Sequence, residues 1–201
     1  MYIESLHLKN KNNPNIFIVA TDDGEFVLHS DVIVKCGIAK GECDRELIAR
    51  AESESLEIIA FNTAVKYISS KIKTEQQIRD YLYKKEFHTS TVNAVINKLK
   101  EYGVIDDARY AESCINSNAS FSKMKLKQKL YSFGVKKDMI DDMTVDIDDF
   151  DSCLMNAKKY IKNKEINREI IEKLTRRLAS QGYGWETISR VLHTLRMEIE
   201  E

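Results

Sequence analysis

Helix breakers are almost missing from this chain: one proline, Pro14, and seven glycines stand among 201 residues. With 43% hydrophobic and 31% charged residues, that scarcity predicts amphipathic helices and a mainly α fold. No apolar run approaches the roughly 20 residues needed to span a bilayer, and Met-Tyr-Ile-Glu-Ser at the start lacks a signal peptide's basic and apolar regions. We therefore expect no membrane contact and a cytoplasmic location. The four cysteines, Cys36, Cys43, Cys114 and Cys153, form no C-x-x-C pair, which argues against a zinc knuckle or a disulfide framework and for small buried side chains. His7, His29, His88 and His193 show no H-x-x-x-H spacing, and no G-x-x-x-x-G-K-[ST] phosphate loop is present. We expect no catalytic, cofactor-binding or metal residues, and no enzyme. Bulk basicity is missing too, since the net charge is −1, so any polyanion contact has to come from uneven placement. Residues 1–56 carry 6 basic and 10 acidic side chains, whereas residues 153–201 carry 10 and 7.

What is present begins with a different texture. Tyr2 to Leu8 alternates, Ile16 to Ala20 is rich in β-branched residues, and Thr21-Asp22-Asp23-Gly24-Glu25 supplies turn chemistry before Phe26-Val27-Leu28. The pattern predicts a small β-hairpin with one extra strand. Ser30 or Asp31 is expected to cap a short helix ending at Lys35-Cys36-Gly37, Lys40-Gly41 to form a turn, and a helix to start near Asp44.

From about Glu57 the chain repeats with an offset of 48 residues. Ile78, Leu126 and Leu174 correspond, as do Leu82, Leu130 and Leu178; Phe87, Val135 and Tyr183; Val92, Ile140 and Ile188; and Leu99, Ile147 and Leu195. Gly134 and Gly182 match, with Glu86 in the first copy. This predicts a tandem array of three three-helix modules, helix-turn-helix-like, at 57–105, 106–150 and 151–201, behind a strand-containing extension at 1–56. First helices are expected at Ile58 to Ser70, Ala108 to Ser117 and Cys153 to Lys162. Thr74-Glu75-Gln76-Gln77 has the form of a capping box that starts a second helix. The segment Lys123 to Leu130 alternates like a strand, but the i, i+4, i+7 spacing of Leu126, Leu130 and Phe133 and its two counterparts assign it to a helix.

Three-helix modules of this kind resemble DNA-reading folds, yet the third helices carry base-reading side chains only sparsely. Charge is more informative. Ser120 to Lys137 holds six lysines, with Lys123, Lys125, Lys127 and Lys129 in alternation, and no acidic residue. Lysines without acidic partners suit a phosphate backbone or an acidic protein surface. The third module adds Lys173, Arg176, Arg177 and Arg190 among interspersed glutamates, where i, i+4 pairing explains much of the pattern. Asp141, Asp142, Asp146, Asp148, Asp149 and Asp151 lack the spacing of a calcium loop and are expected to form a solvated linker.

Tyr102-Gly103-Val104-Ile105-Asp106-Asp107-Ala108-Arg109-Tyr110-Ala111 resembles the signature of the RecX family of recombination regulators. Ile78 to Lys85, Lys127 to Val135 and Leu178 to Tyr183 look like helices of that family's first, second and third modules. The likeness covers about residues 57–195, and departs from the family pattern at Glu86, where glycine is usual, and at Thr144 within an apolar stripe. It implies a curved helical array that lodges in the groove of a RecA filament on single-stranded DNA; we further expect a monomer, with double-stranded DNA as a second DNA form. There it would oppose filament extension, ATP turnover and strand exchange. Lys123, Lys125, Lys127, Lys129, Lys173, Arg176, Arg177 and Arg190 are the contact candidates, chosen from charge placement. A sequence-independent DNA-binding module and a protein-only helical scaffold are the alternatives.

Overall fold

A computed structural model describes the backbone of residues 1–200 and the side chains of residues 1–198. Residue 201, the last of the expected third module, lies outside the described residues. The chain divides into two units, Met1–Ile105 and a second from Asp106 onward.

Unit 1 opens with β1 (Tyr2–Asn10), β2 (Asn13–Thr21) and β3 (Gly24–His29), and a later two-residue strand, β4 (Gly41–Glu42), completes an antiparallel sheet in the order β3-β2-β1-β4. The extension is therefore a four-stranded sheet and not a hairpin with one added strand. Gly41, expected with Lys40 as a turn, pairs with Ile3, and Glu42 pairs with Tyr2, a match too short for periodicity to reveal. Pro14 lies in β2 where the register with β1 shifts, a position that tolerates a missing amide donor. Helix α1 (Ser30–Cys36) is capped by His29 and not by Ser30 or Asp31: its Nδ1 accepts from the Asp31 amide at 3.3 Å.

Helix α2 (Arg45–Ile68) runs without a break through the position expected to separate extension from first module. Its first half buries Ile48 and Ala51 with Ile3, Val19, Leu28 and Val32 of the sheet and α1; its second half buries Ala60 and Ala64 with the next two helices. The expected helix beginning at Ile58 thus begins at Arg45, because one rod serves two cores. Asp44 caps its start by accepting from the Glu46 amide. Helix α3 (Glu75–Lys84) follows the expected capping box, with Thr74 Oγ1 accepting from Gln77 N at 3.2 Å and Gln77 Oε1 from Thr74 N at 3.1 Å. With α4 (Thr89–Glu101) it closes a core of Ile78, Leu82, Val92, Val95, Ile96 and Leu99.

Unit 2 repeats this plan twice. Helices α5 (Asp107–Ser117), α6 (Lys123–Ser132) and α7 (Lys137–Thr144) enclose Ala111, Leu130, Val135 and Ile140. Helices α8 (Phe150–Ile161), α9 (Arg168–Ser180) and α10 (Trp185–Glu200) enclose Cys153, Ala157, Leu174, Leu178, Tyr183, Ile188, Val191 and Leu195. Lys123 to Leu130 is helical, as the repeat requires. Three triplets of the repeat are buried throughout: Ile78, Leu126 and Leu174; Leu82, Leu130 and Leu178; Val92, Ile140 and Ile188. Ile147 instead lies beyond the end of α7, and Thr144 is buried with its hydroxyl donating to the Ile140 carbonyl at 2.7 Å. Cys114 and Cys153 are buried as expected, but Cys36 and Cys43 are only half-buried.

The turn after each second helix is the same in all three copies. An amide reaches back five residues, from Phe87 to Leu82 (3.3 Å), Val135 to Leu130 (3.2 Å) and Tyr183 to Leu178 (3.3 Å). The preceding residue is left-handed each time, at φ 65° for Glu86, 80° for Gly134 and 87° for Gly182. Glu86 therefore keeps the geometry of the missing glycine at the cost of backbone strain.

Candidate nucleic-acid interface

The candidate lysines of α6 do not form one comb. Residues two apart on a helix diverge by about 200°, so alternating lysines separate onto two flanks of the buried Leu126–Leu130 stripe. On one flank Lys127 makes an ion pair with Asp141 of α7, and Lys123 Nζ donates to the Val145 carbonyl at 2.8 Å. On the other, Lys125 and Lys129 lie 4.2 and 5.1 Å from the centroid of the Phe121 ring, and Lys129 Nζ donates to Asn118 Oδ1 at 3.0 Å. The cluster is thus not without acidic partners. Asp141 lies beyond the lysine run in sequence and returns to Lys127 only once α6 and α7 have packed. That hydrogen bond from Lys127 holds the Asp141 carboxyl below its ordinary range.

The third-module candidates are engaged as well. Lys173 pairs with Glu169 one turn away, which raises the lysine's pKa through the hydrogen bond and the charge. Arg176 Nε donates weakly to the Glu172 carbonyl at 3.4 Å, and the Arg177 guanidinium lies 5.5 Å from the Tyr160 centroid, beside Lys164 on the same ring. Arg190 stacks 4.8 Å from Phe150 and reaches Asp148 at 3.8 Å. Of the six aspartates expected as a solvated linker, Asp142, Asp146 and Asp151 are exposed without an ion pair among the described residues, whereas three are engaged. Asp141 and Asp148 meet cations, and Asp149 accepts from the Lys123 backbone amide at 2.6 Å. Burial raises the Asp149 pKa despite that hydrogen bond.

Within unit 2 the two modules are joined by directional contacts. Ser122, which caps α6, donates to the Gln181 carbonyl at 2.7 Å; Asn156 donates to the Ser120 carbonyl at 2.7 Å and to Tyr183 Oη at 2.8 Å; and Tyr183 Oη donates to Ser120 at 3.1 Å. These bonds set Lys123 to Lys129 and Arg190 in a fixed relation on one body.

Charge placement by sequence passed over unit 1. Residues 57–105 carry eight basic and five acidic side chains. Tyr67 of α2 and Tyr81 of α3 stack with centroids 4.0 Å apart, with Lys73 over the first ring and Lys85 over the second. Tyrosines flanked by unpaired lysines (Lys66-Tyr67, Tyr83-Lys84-Lys85) were the visible signal; that Tyr67 and Tyr81 meet face to face was not.

Among the described residues no helix is long and apolar enough to cross a membrane, and no three His, Cys, Asp or Glu side chains group as a metal site. The structure defines a class of protein: consecutive three-helix modules preceded by a small antiparallel sheet, with partnered cations on the helix surfaces. A profile for "RecX, first three-helix domain" matches residues 60–99. The regulatory protein RecX of Clostridium perfringens strain 13 is 30% identical, covering 96% of this chain and 95% of the relative, and that of Streptococcus mutans is 26% identical over 94% of this chain and 77% of the relative. A crystal structure of regulatory protein RecX superposes with a TM-score of 0.69 at 19% identity over 96% of this chain and 98% of the other. RecX from Lactobacillus salivarius gives 0.63 at 21% identity over 71% and 97%. The chain belongs to the RecX family.

Proposed function

We propose that this chain is a non-enzymatic, cytoplasmic and monomeric regulator that binds the RecA filament on single-stranded DNA and limits its extension, ATP turnover and strand exchange. The observation that carries this reading is the 30% identity to a regulatory protein RecX over 96% of the chain. The repeated modules support it physically. A filament presents the same acidic surfaces at regular intervals, and consecutive modules with similar surfaces can meet several of them at once.

Lys123, Lys125, Lys127, Lys129, Lys173, Arg176, Arg177 and Arg190 are the proposed contacts, and their present partners rank them. Lys125 and Lys129 rest on Phe121, so an incoming phosphate or carboxylate recruits them without breaking an ion pair. Lys127 and Lys173 must first leave Asp141 and Glu169, a small cost at a solvated surface but one that Lys125 and Lys129 escape. Replacing Lys125 and Lys129 by glutamine should therefore weaken filament binding more than replacing Lys127 and Lys173.

The deciding experiment is RecA's single-stranded-DNA-dependent ATP turnover at increasing concentrations of this protein, with binding to the same DNA measured without RecA. Suppression at concentrations too low to coat bare DNA supports the filament reading. No effect on RecA combined with tight, salt-steep DNA binding would replace it with a sequence-independent DNA-binding module, and neither effect would leave a protein-only scaffold.

A further inference from the structure

Unit 1 holds a basic surface that the contacts proposed above do not use. Tyr67, in the last turn of α2, and Tyr81, on α3, stack at 4.0 Å with their planes 9° from parallel. Lys73 Nζ lies 4.8 Å from the Tyr67 centroid, and Lys85 Nζ lies 5.7 Å from that of Tyr81. Each inner ring face is occupied by the other ring, so the two ammonium groups cover the outer faces. The layers run Lys73, Tyr67, Tyr81, Lys85.

Lys66, Lys71 and Lys84 are adjacent in the chain to this stack. None of the five lysines makes an ion pair among the described residues, in contrast to Lys127, Lys173 and Arg190. Two of the nearby acids are already engaged, Glu75 with Arg79 and Lys100 and Asp80 with Gln76 at 2.7 Å, and the third, Glu86, is exposed beside Lys85 in the chain without an ion pair among the described residues. Five lysines against one unengaged carboxylate keep a positive field, and an ammonium resting on a partly exposed ring is held weakly.

We propose that this lysine–tyrosine stack is a contact site for single-stranded nucleic acid. Lys73 and Lys85 swing from the ring faces to backbone phosphates, and an unstacked base takes the outer face that each uncovers. Both halves of the ligand are then matched. Phosphates answer the lysines, and only a strand with free bases can use a flat, pre-ordered aromatic face. An acidic protein surface would use the lysines and leave the rings without a role. A duplex keeps its bases stacked within itself.

The test uses the full chain and a labelled oligothymidylate, followed by fluorescence anisotropy from low to moderate salt. Each single-strand phosphate contact contributes about 0.7 to the slope of log K against log salt, so Lys73→Gln with Lys85→Gln should reduce the slope by about 1.4 and weaken binding about 25-fold at 0.1 M salt. Tyr81→Leu should weaken binding about fivefold or more while leaving the slope unchanged, and Tyr81→Phe should restore it. Far-UV circular dichroism checks that each variant is folded; the lysine pair, being on the surface, decides the matter if Tyr81→Leu is not. Unchanged affinity and slope in the lysine pair overturns the proposal. So does an equal loss on single strand and duplex, which would reveal a backbone-only contact, or a loss seen only with an acidic protein. Because RecA is absent from this assay, its failure leaves the filament reading to stand or fall on ATP turnover.

Discussion

A single methyl group at Gly182 should disturb the junction between the second and third modules. Gly182 has φ +87°, and a β-carbon there would lie 2.9 Å from Ser122 Oγ, 3.3 Å from Met124 Cβ and 3.4 Å from Met124 Sδ. Ser122 is doubly committed, accepting from the Lys125 amide as the cap of α6 and donating to Gln181 across the junction. Gly182→Ala therefore adds left-handed backbone strain of about 1–2 kcal/mol. Displacing the hydroxyl costs a further hydrogen bond of about 0.5–1.5 kcal/mol. Reduced freedom of the unfolded chain returns about 0.4–1 kcal/mol. The expected net loss is about 2 kcal/mol, within a range of about 0.5–3 kcal/mol. Gly103→Ala isolates the backbone component, since Gly103 has φ +65° and nothing within 4 Å of its would-be β-carbon; about 1 kcal/mol is expected there. Urea unfolding measures both. Fluorescence of Trp185, the chain's one tryptophan, follows unit 2, and circular dichroism follows the whole chain. Equal losses in the two variants would refute the claim that Ser122 forms a tight junction with the Gly182 turn.

Glu86→Gly should stabilise unit 1 by about 0.5–1 kcal/mol in urea unfolding, because relief of left-handed strain outweighs the greater freedom that glycine gives the unfolded chain; a destabilised variant would contradict this account of the turn. Glu75 feels burial, which raises its pKa, but hydrogen bonds from Lys100 and Arg79 outweigh it and the net shift is downward from 4.5. A depressed folded pKa stabilises above the unfolded value and is lost as pH falls through the folded one, so Glu75→Gln should cost about 1 kcal/mol at pH 7. Wild type and variant should converge below pH 4.5, and a gap independent of pH would count against the ion-pair explanation. Burial, reinforced by Asp149, pushes the Cys153 thiol up to about 11. In native protein at pH 8 an aromatic disulfide reagent should reach half-buried Cys36 and Cys43 well before Cys153 and Cys114, and rapid reaction of Cys153 would show that the third-module core opens readily.

The residues that were legible in advance share one property: their role is repeated or local. Ile78, Leu126 and Leu174 announce three equivalent helices through a constant spacing, and Thr74 with Gln77 announces a helix start within four residues. The lysines of α6 were legible as residues but misleading as a cluster. Their sequence window contains no acid, while Asp141 reaches Lys127 through space. Two-residue β4 was silent because two residues carry no period.

By itself the sequence determined a mainly helical chain with three related helical cores, a strand-rich beginning and no bulk positive charge. Apolar spacing sets these features residue by residue, because burial of one helix face is favoured whichever neighbour eventually covers it. Tertiary structure alone decided that α2 would serve both the sheet and the first helical core. It also decided which cations would be neutralised and that Tyr67 would stack on Tyr81 between two lysines. Charge pairing and ring stacking act across a few ångströms between residues distant in the chain, so they have no meaning until packing sets those distances.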